Sequence, residues 1–216
     1  MNFTWFGHSC FLIASECGTR VLTDPYDDTV GYPMHKATVD VVTVSHDHFD
    51  HNYLAMASGE PLVLREAGVH EVGDLRITGI LSSHDDEQGK KRGKNMIFLF
   101  EGEGIRVAHM GDIGEMPAEE ALKALAPLDV LMVPVGGTFT IGPDIACKIA
   151  NATKARVVVP MHYQTGVLRF ADQLLSVNEM ISCAKNCSIH KLNQSHFVIR
   201  ADQKGEDRLL VPDYLR

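Results

Sequence analysis

The sequence predicts an α/β protein, and three observations carry that prediction. Short β-branched and apolar runs separated by turn residues fill the first half of the chain. From Pro117 the pattern changes to helix, strand, helix, strand, helix. His and Asp recur just past the C-terminal ends of the apolar runs, where the ligand crevice of a helix-packed sheet lies.

The 216 residues fit one domain, residues 1–216, and no linker-like or low-complexity stretch suggests a boundary. Hydrophobic residues at 45% and charged residues at 22% are ordinary for a globular chain. No apolar run approaches the roughly 20 residues of a membrane helix. The first eight residues lack a basic region followed by a long apolar run, so no signal peptide is expected and the cytoplasm is the expected location. The five cysteines are odd in number and hold no CxxC pair, so they read as small apolar fillers. A net charge of −8 disfavours nucleic acid, whose binding runs on Lys and Arg, but allows a small anionic substrate drawn to a local metal charge.

In chain order, residues 3–6, 11–14 and 20–23 read as strands, the third ending in Asp24-Pro25, where proline stops the ladder. Residues 26–38 contain Asp, Gly and Pro and read as a surface loop. A β-branched strand over 40–45 follows, then a short helical piece near 52–57 and strands at 62–64, 69–72 and 74–82. Residues 85–94 are strongly charged, with two glycines, and read as a solvated loop or a lid over a pocket. Residues 95–101 and 105–110 form a hairpin around Gly102-Glu-Gly104. Pro and acids open a helix over 117–125. Buried strands at 129–135 and 155–159 enclose a helix over 145–152; an amphipathic helix over 171–185 and strands at 188–191, 196–201 and 208–211 close the chain.

The chemistry concentrates at residues 43–51, where His46, His48, Asp50 and His51 are spaced H-x-H-x-D-H. Three imidazoles and a carboxylate at the end of a rigid strand are hard to explain by packing and are the usual donors to divalent ions. Asp24, His46, His84, Asp112 and His162 each fall within a few residues of a strand's C-terminal end. Together they would build one site from distant parts of the chain.

The matching stretches are residues 5–13 (WFGHSCFLI), 22–25 (LTDP), 45–51 (SHDHFDH), 83–84 (SH), 109–112 (HMGD), 134–137 (PVGG) and 160–163 (PMHY). In these the chain resembles the metallo-β-lactamase-fold hydrolases, specifically the small single-domain branch that includes the ascorbate-6-phosphate lactonase-like proteins. The resemblance implies a four-layer αβ/βα sandwich with two metal sites at one edge of the paired sheets. It implies that His46, His48 and His84 hold one divalent ion, that Asp50, His51 and His162 hold another, and that Asp112 bridges them. The spacing agrees with that division, since residues two apart on an extended segment point to one side. Zinc is the first expectation, with manganese or iron as alternatives. Where flavodiiron oxidoreductases of this fold carry a carboxylate, this chain has His48, which points to hydrolysis.

The expected reaction is hydrolysis of a small ester, lactone or phosphoester by a hydroxide shared between two ions roughly 3.5–4 Å apart. Asp50 relays a proton and Tyr163 is a candidate oxyanion donor. Asp24 would hydrogen-bond a ligand histidine, His8 would reach the pocket, and Arg92 and Asn95 would meet an anionic substrate. His109 reads as structural, and Gly136-Gly137-Thr138 would permit a close backbone approach. A phosphodiesterase or nuclease of the same fold is the alternative, as is a metal-binding protein without turnover. A homo-oligomer stays open.

Overall fold

The computed structural model describes residues 1–169, 174–185, 187–202 and 208–216. The strands and α-helices run β1 (Asn2–Gly7), β2 (Cys10–Ala14), β3 (Arg20–Thr23), β4 (Ala37–Thr38), β5 (Val41–Thr43), β6 (Ala57–Ser58), β7 (Leu62–Leu64), β8 (Gly68–Val72), β9 (Leu75–Ser83), β10 (Lys94–Gly102) and β11 (Ile105–His109). They continue with α1 (Glu119–Leu125), β12 (Val130–Pro134), α2 (Pro143–Ala152), β13 (Val157–Met161), α3 (Val177–Cys183), β14 (Ser188–Lys191), β15 (His196–Val198) and β16 (Arg208–Val211).

Two sheets pack face to face. One has the order β15-β1-β2-β3-β5-β7, the other β14-β16-β13-β12-β11-β10-β9-β8, and β4 pairs with β6 in a small ribbon. Strand alternation explains how the first sheet is covered on both sides. Phe3, Trp5, Phe11, Ile13, Val21 and Val41 join the core shared with the second sheet. Their neighbours Phe6, Cys10, Leu22, Val42 and Val44 point outward under Tyr26, Val30, Tyr32 and Met56. That outer cover includes single-turn 3-10 helices at Asp28–Val30 and Leu54–Met56, where the sequence predicted a loop and a short helical piece.

The second sheet begins as an antiparallel run, β8 to β11, and turns parallel through β12, β13 and β16. Parallel neighbours need a crossover, which α1 and α2 supply. Strands buried on both faces read as continuous apolar runs, and β12 and β13 are buried at every position. β15 returns to the first sheet, where Phe197 stacks on Phe3 at 5.0 Å.

The predicted helix over 171–185 is corrected. The helix is Val177–Cys183, opened by the Ser176 side chain, which accepts from Asn178 N. Residues 174–175 leave the helical pattern because Leu175 N bonds Gly136 O and its carbonyl accepts from Gln164 N. Residues 171–173 of the predicted helix lie outside the described residues. Among the described residues no helix is long and apolar enough to cross a membrane.

Candidate metal centre

Six strand ends deliver the predicted residues to one edge of the sandwich. β1 leads to His8, β3 to Asp24, β5 to Ser45 and His46, β9 to His84, β11 to Asp112, and β13 to His162. His8, Asp24 and His162 have φ of 51°, 40° and 50°, the left-handed region that non-glycine residues rarely adopt. Such strain persists only where the surrounding structure imposes it, and it clusters at functional sites.

The side chains converge in overlapping donor groups. His46, His48 and His84 form one; His8, Asp50, His51 and His162 form a second; His46, His51 and Asp112 form a third that overlaps the other two. Asp112 Oδ2 stands 3.0 Å from His162 Nε2, 3.3 Å from His51 Nε2 and 3.7 Å from His84 Nε2. His46, His51, His84, Asp112 and His162 are all buried, whereas His48 is exposed on the cleft wall.

A second ring of hydrogen bonds aims these donors. Asp24 Oδ1 accepts from Ser45 N at 2.7 Å; its Oδ2 accepts from Ser45 Oγ at 2.6 Å and from His51 Nδ1 at 2.9 Å. That fixes the His51 tautomer and turns Nε2 to the cleft. Ser45 Oγ also lies 2.9 Å from His46 Nδ1, so His46 likewise presents Nε2. His8 Nε2 is 3.1 Å from Asp50 Oδ2. The Ser45 contribution carried no sequence signal, because its partner Asp24 lies 21 residues away.

Electrostatics suit a cation. Burial pushes the His46 imidazole down to about 3 and His8 down to about 4, so both are neutral donors. Burial alone would raise the Asp112 carboxyl, but the His162 and His51 imidazoles hold it well below its ordinary value. Burial likewise opposes ionisation of Asp50, and His51 and His8 reverse it. Burial would lower the His51 imidazole, but the Asp112 and Asp50 carboxylates push it well above its ordinary value. His46 Nε2, His51 Nε2 and Asp112 Oδ1 are buried without a hydrogen-bond partner. Their three residues make up a single donor group that could hold a metal ion.

The other candidates divide. Asn95 does not reach substrate space: it is buried in β10, its Nδ2 donates to Ser82 Oγ and Met110 O, and its Oδ1 accepts from Asp112 N at 2.8 Å. Its work is to hold the Asp112 backbone. Tyr163 is buried and does not line the cleft. Its ring packs on Trp5 at 5.5 Å and lines a separate cavity beside Tyr214. His109 donates Nε2–H to Ser9 O at 2.8 Å and stays out of the donor groups. A Cβ on Gly136 would collide with the His162 carbonyl oxygen, which gives the predicted close approach its location.

The cleft above the donors has a volume of about 390 Å³ and is lined by Asp47, Phe49, Asp50, Arg92 and Phe139 besides His48, His84, Asp112 and His162. Phe49, Phe139 and Asp47 carried no sequence signal for this placement.

The β-lactamase superfamily domain model matches residues 2–162. The chain is 34% identical over 188 residues to a UPF0173 protein of Pyrococcus furiosus, covering 76% of this chain and 84% of that one. It is 31% identical over 213 residues to a UPF0173 metal-dependent hydrolase of Nitratidesulfovibrio vulgaris, covering 80% and 87%. The crystal structure of a candidate zinc-dependent hydrolase of the metallo-β-lactamase superfamily from Thermotoga maritima superposes with a TM-score of 0.80 at 34% identity, covering 98% of both chains. The fold, the His/Asp donor set and these relatives agree: the chain belongs to the metallo-β-lactamase superfamily, within its UPF0173 metal-dependent hydrolases.

Proposed function

We propose that this chain is a two-metal hydrolase of a small ester, lactone or phosphoester. The observation that carries the reading is the position of Asp112, whose Oδ2 lies within 4 Å of imidazole nitrogens from His51, His84 and His162. A carboxylate placed so, between two donor groups, suits a bridging role. His46, His48 and His84 would hold one ion, Asp50, His51 and His162 the other. Divalent ions bound there supply Lewis acidity that acidifies water and polarises a carbonyl or phosphoryl oxygen. Zinc fits the imidazole-rich set, with manganese or iron as substitutes.

The chain's own groups do the rest. Asp50 lines the cleft, is held ionised, and takes the proton of the attacking water before passing it to the leaving oxygen. His8 keeps Asp50 in place through the 3.1 Å contact at Oδ2. Asp24 and Ser45 keep His51 and His46 aimed.

A cleft of about 390 Å³ suits a small molecule. Polymeric nucleic acid fits poorly, because among the described residues that line it Arg92 is the one cation. A panel of lactones, phosphoesters and phosphodiesters, run with and without chelator, tests the reading. Hydrolysis of a small ester, lactone or phosphoester that stops on chelation and returns with metal supports it. Turnover indifferent to chelation would refute it.

A further inference from the structure

The charged segment after His84 is a built loop. Asp85 is 4% exposed, and its carboxylate accepts four backbone N–H groups. Oδ1 takes those of Glu87 at 2.8 Å and Gly89 at 2.9 Å; Oδ2 takes those of Lys91 at 2.9 Å and Arg92 at 2.7 Å. The loop is closed behind them by Gly93 N on Gly89 O at 3.0 Å and His84 N on Gly93 O at 3.1 Å. One side chain therefore determines where residues 87–92 lie, and the last of them is Arg92.

Arg92 is held against the facing loop. Its Nη1 donates to Thr138 O and Phe139 O, each at 3.3 Å, and its guanidinium carbon lies 4.9 Å over the Phe139 ring. Arg92 and Phe139 line the metal cleft and also a neighbouring cavity of about 600 Å³, so they stand on the partition between the two. Phe49, 51% exposed, lines the same cleft. A guanidinium held over one aromatic ring, in a cleft that a second ring also lines, matches a molecule with an anionic group on an apolar body.

We propose that Asp85 is a positioning residue that builds the loop holding Arg92 at the cleft, and that this device selects small organic anions whose apolar part contacts Phe49 and Phe139. The inference deepens the hydrolase reading by naming its substrate class, and rests on it only for what happens after binding. Arg92 reads the charge and the two Phe rings accept the body. Asp85 acts through the backbone, away from the reacting atoms.

The test uses an isosteric pair, phenylacetate and phenylacetamide, which differ in charge, titrated calorimetrically into metal-loaded protein. The native chain binds the anion in preference to the amide. Arg92→Gln, at an exposed position, lowers that preference about fivefold, in the range of a partly solvated ion pair. Asp85→Asn lowers it as well, and the double variant is no worse than Arg92→Gln alone, because both act through one guanidinium. In Asp85→Asn, hydrogen exchange quickens at the amides of residues 87, 89, 91 and 92 while bound metal is unchanged. An unchanged preference in Arg92→Gln, additive losses in the double variant, or failure of phenylacetate to bind each overturns the proposal. Metal content and the hydrolase panel report on the hydrolase reading separately, so loss of either without loss of anion preference marks that reading as the one at fault.

Discussion

His51 faces the cleft with Nε2 because Asp24 holds its Nδ1, and that dependence can be measured. Asp24→Asn keeps the shape but removes the charge and one acceptor oxygen. Zinc affinity, read by competition with a chromophoric chelator, is expected to fall about 10- to 100-fold; unchanged affinity would separate Asp24 from the site. Tyr163→Phe is expected to leave kcat within about twofold of the parent, since the ring packs on Trp5 and the hydroxyl is remote from the cleft. A loss of a hundredfold would restore Tyr163 to the chemistry. The candidate ligands were legible in the sequence because His46, His84, Asp112 and His162 each fall within a few residues of an apolar strand's end and His48, Asp50 and His51 complete the H-x-H-x-D-H spacing. Tyr163 misled because its neighbour His162 enters the donor groups while its own ring packs on Trp5. Asn95, Ser45 and Asp85 were illegible in these roles, since their partners include Met110, Asp24 and the backbone of the 87–92 turn, contacts that only the folded chain creates.

At the scale of elements, the site depends on how β5, β10 and the end of β11 meet. Gly111 has φ 55°, and a Cβ there would collide with Asn95 Oδ1 and crowd Ser45. Gly111→Ala is therefore expected to cost more than about 1 kcal/mol in chemical denaturation. Asn95→Ala strands the buried Asp112 N–H and Met110 carbonyl and is expected to cost about 2 kcal/mol, with weaker metal binding alongside. Denaturation midpoints equal to the parent's would contradict this account of the strand junction. Strands buried on both faces, such as β12 and β13, were legible as continuous apolar runs. The start of α3 was not: periodicity ran on through residues 174–175, but pairing with Gly136 and Gln164 took that backbone out of the helix.

For the whole molecule, buried carboxylates and imidazoles at one edge of the sandwich make folding and metal binding a linked equilibrium. Metal at 100 times its dissociation constant adds about 2.7 kcal/mol to stability, which for a chain of this size is a rise of about 5–10 °C in Tm. A Tm indifferent to zinc would show that the donor groups bind no ion in the folded state. Bound metal per chain decides whether one edge of this fold holds two ions around Asp112, as proposed. Two divalent ions per active chain, reduced in Asp112→Ala together with turnover, is the expected result. A fully active chain carrying a single ion, or an Asp112→Ala protein that keeps both ions and its rate, would contradict it.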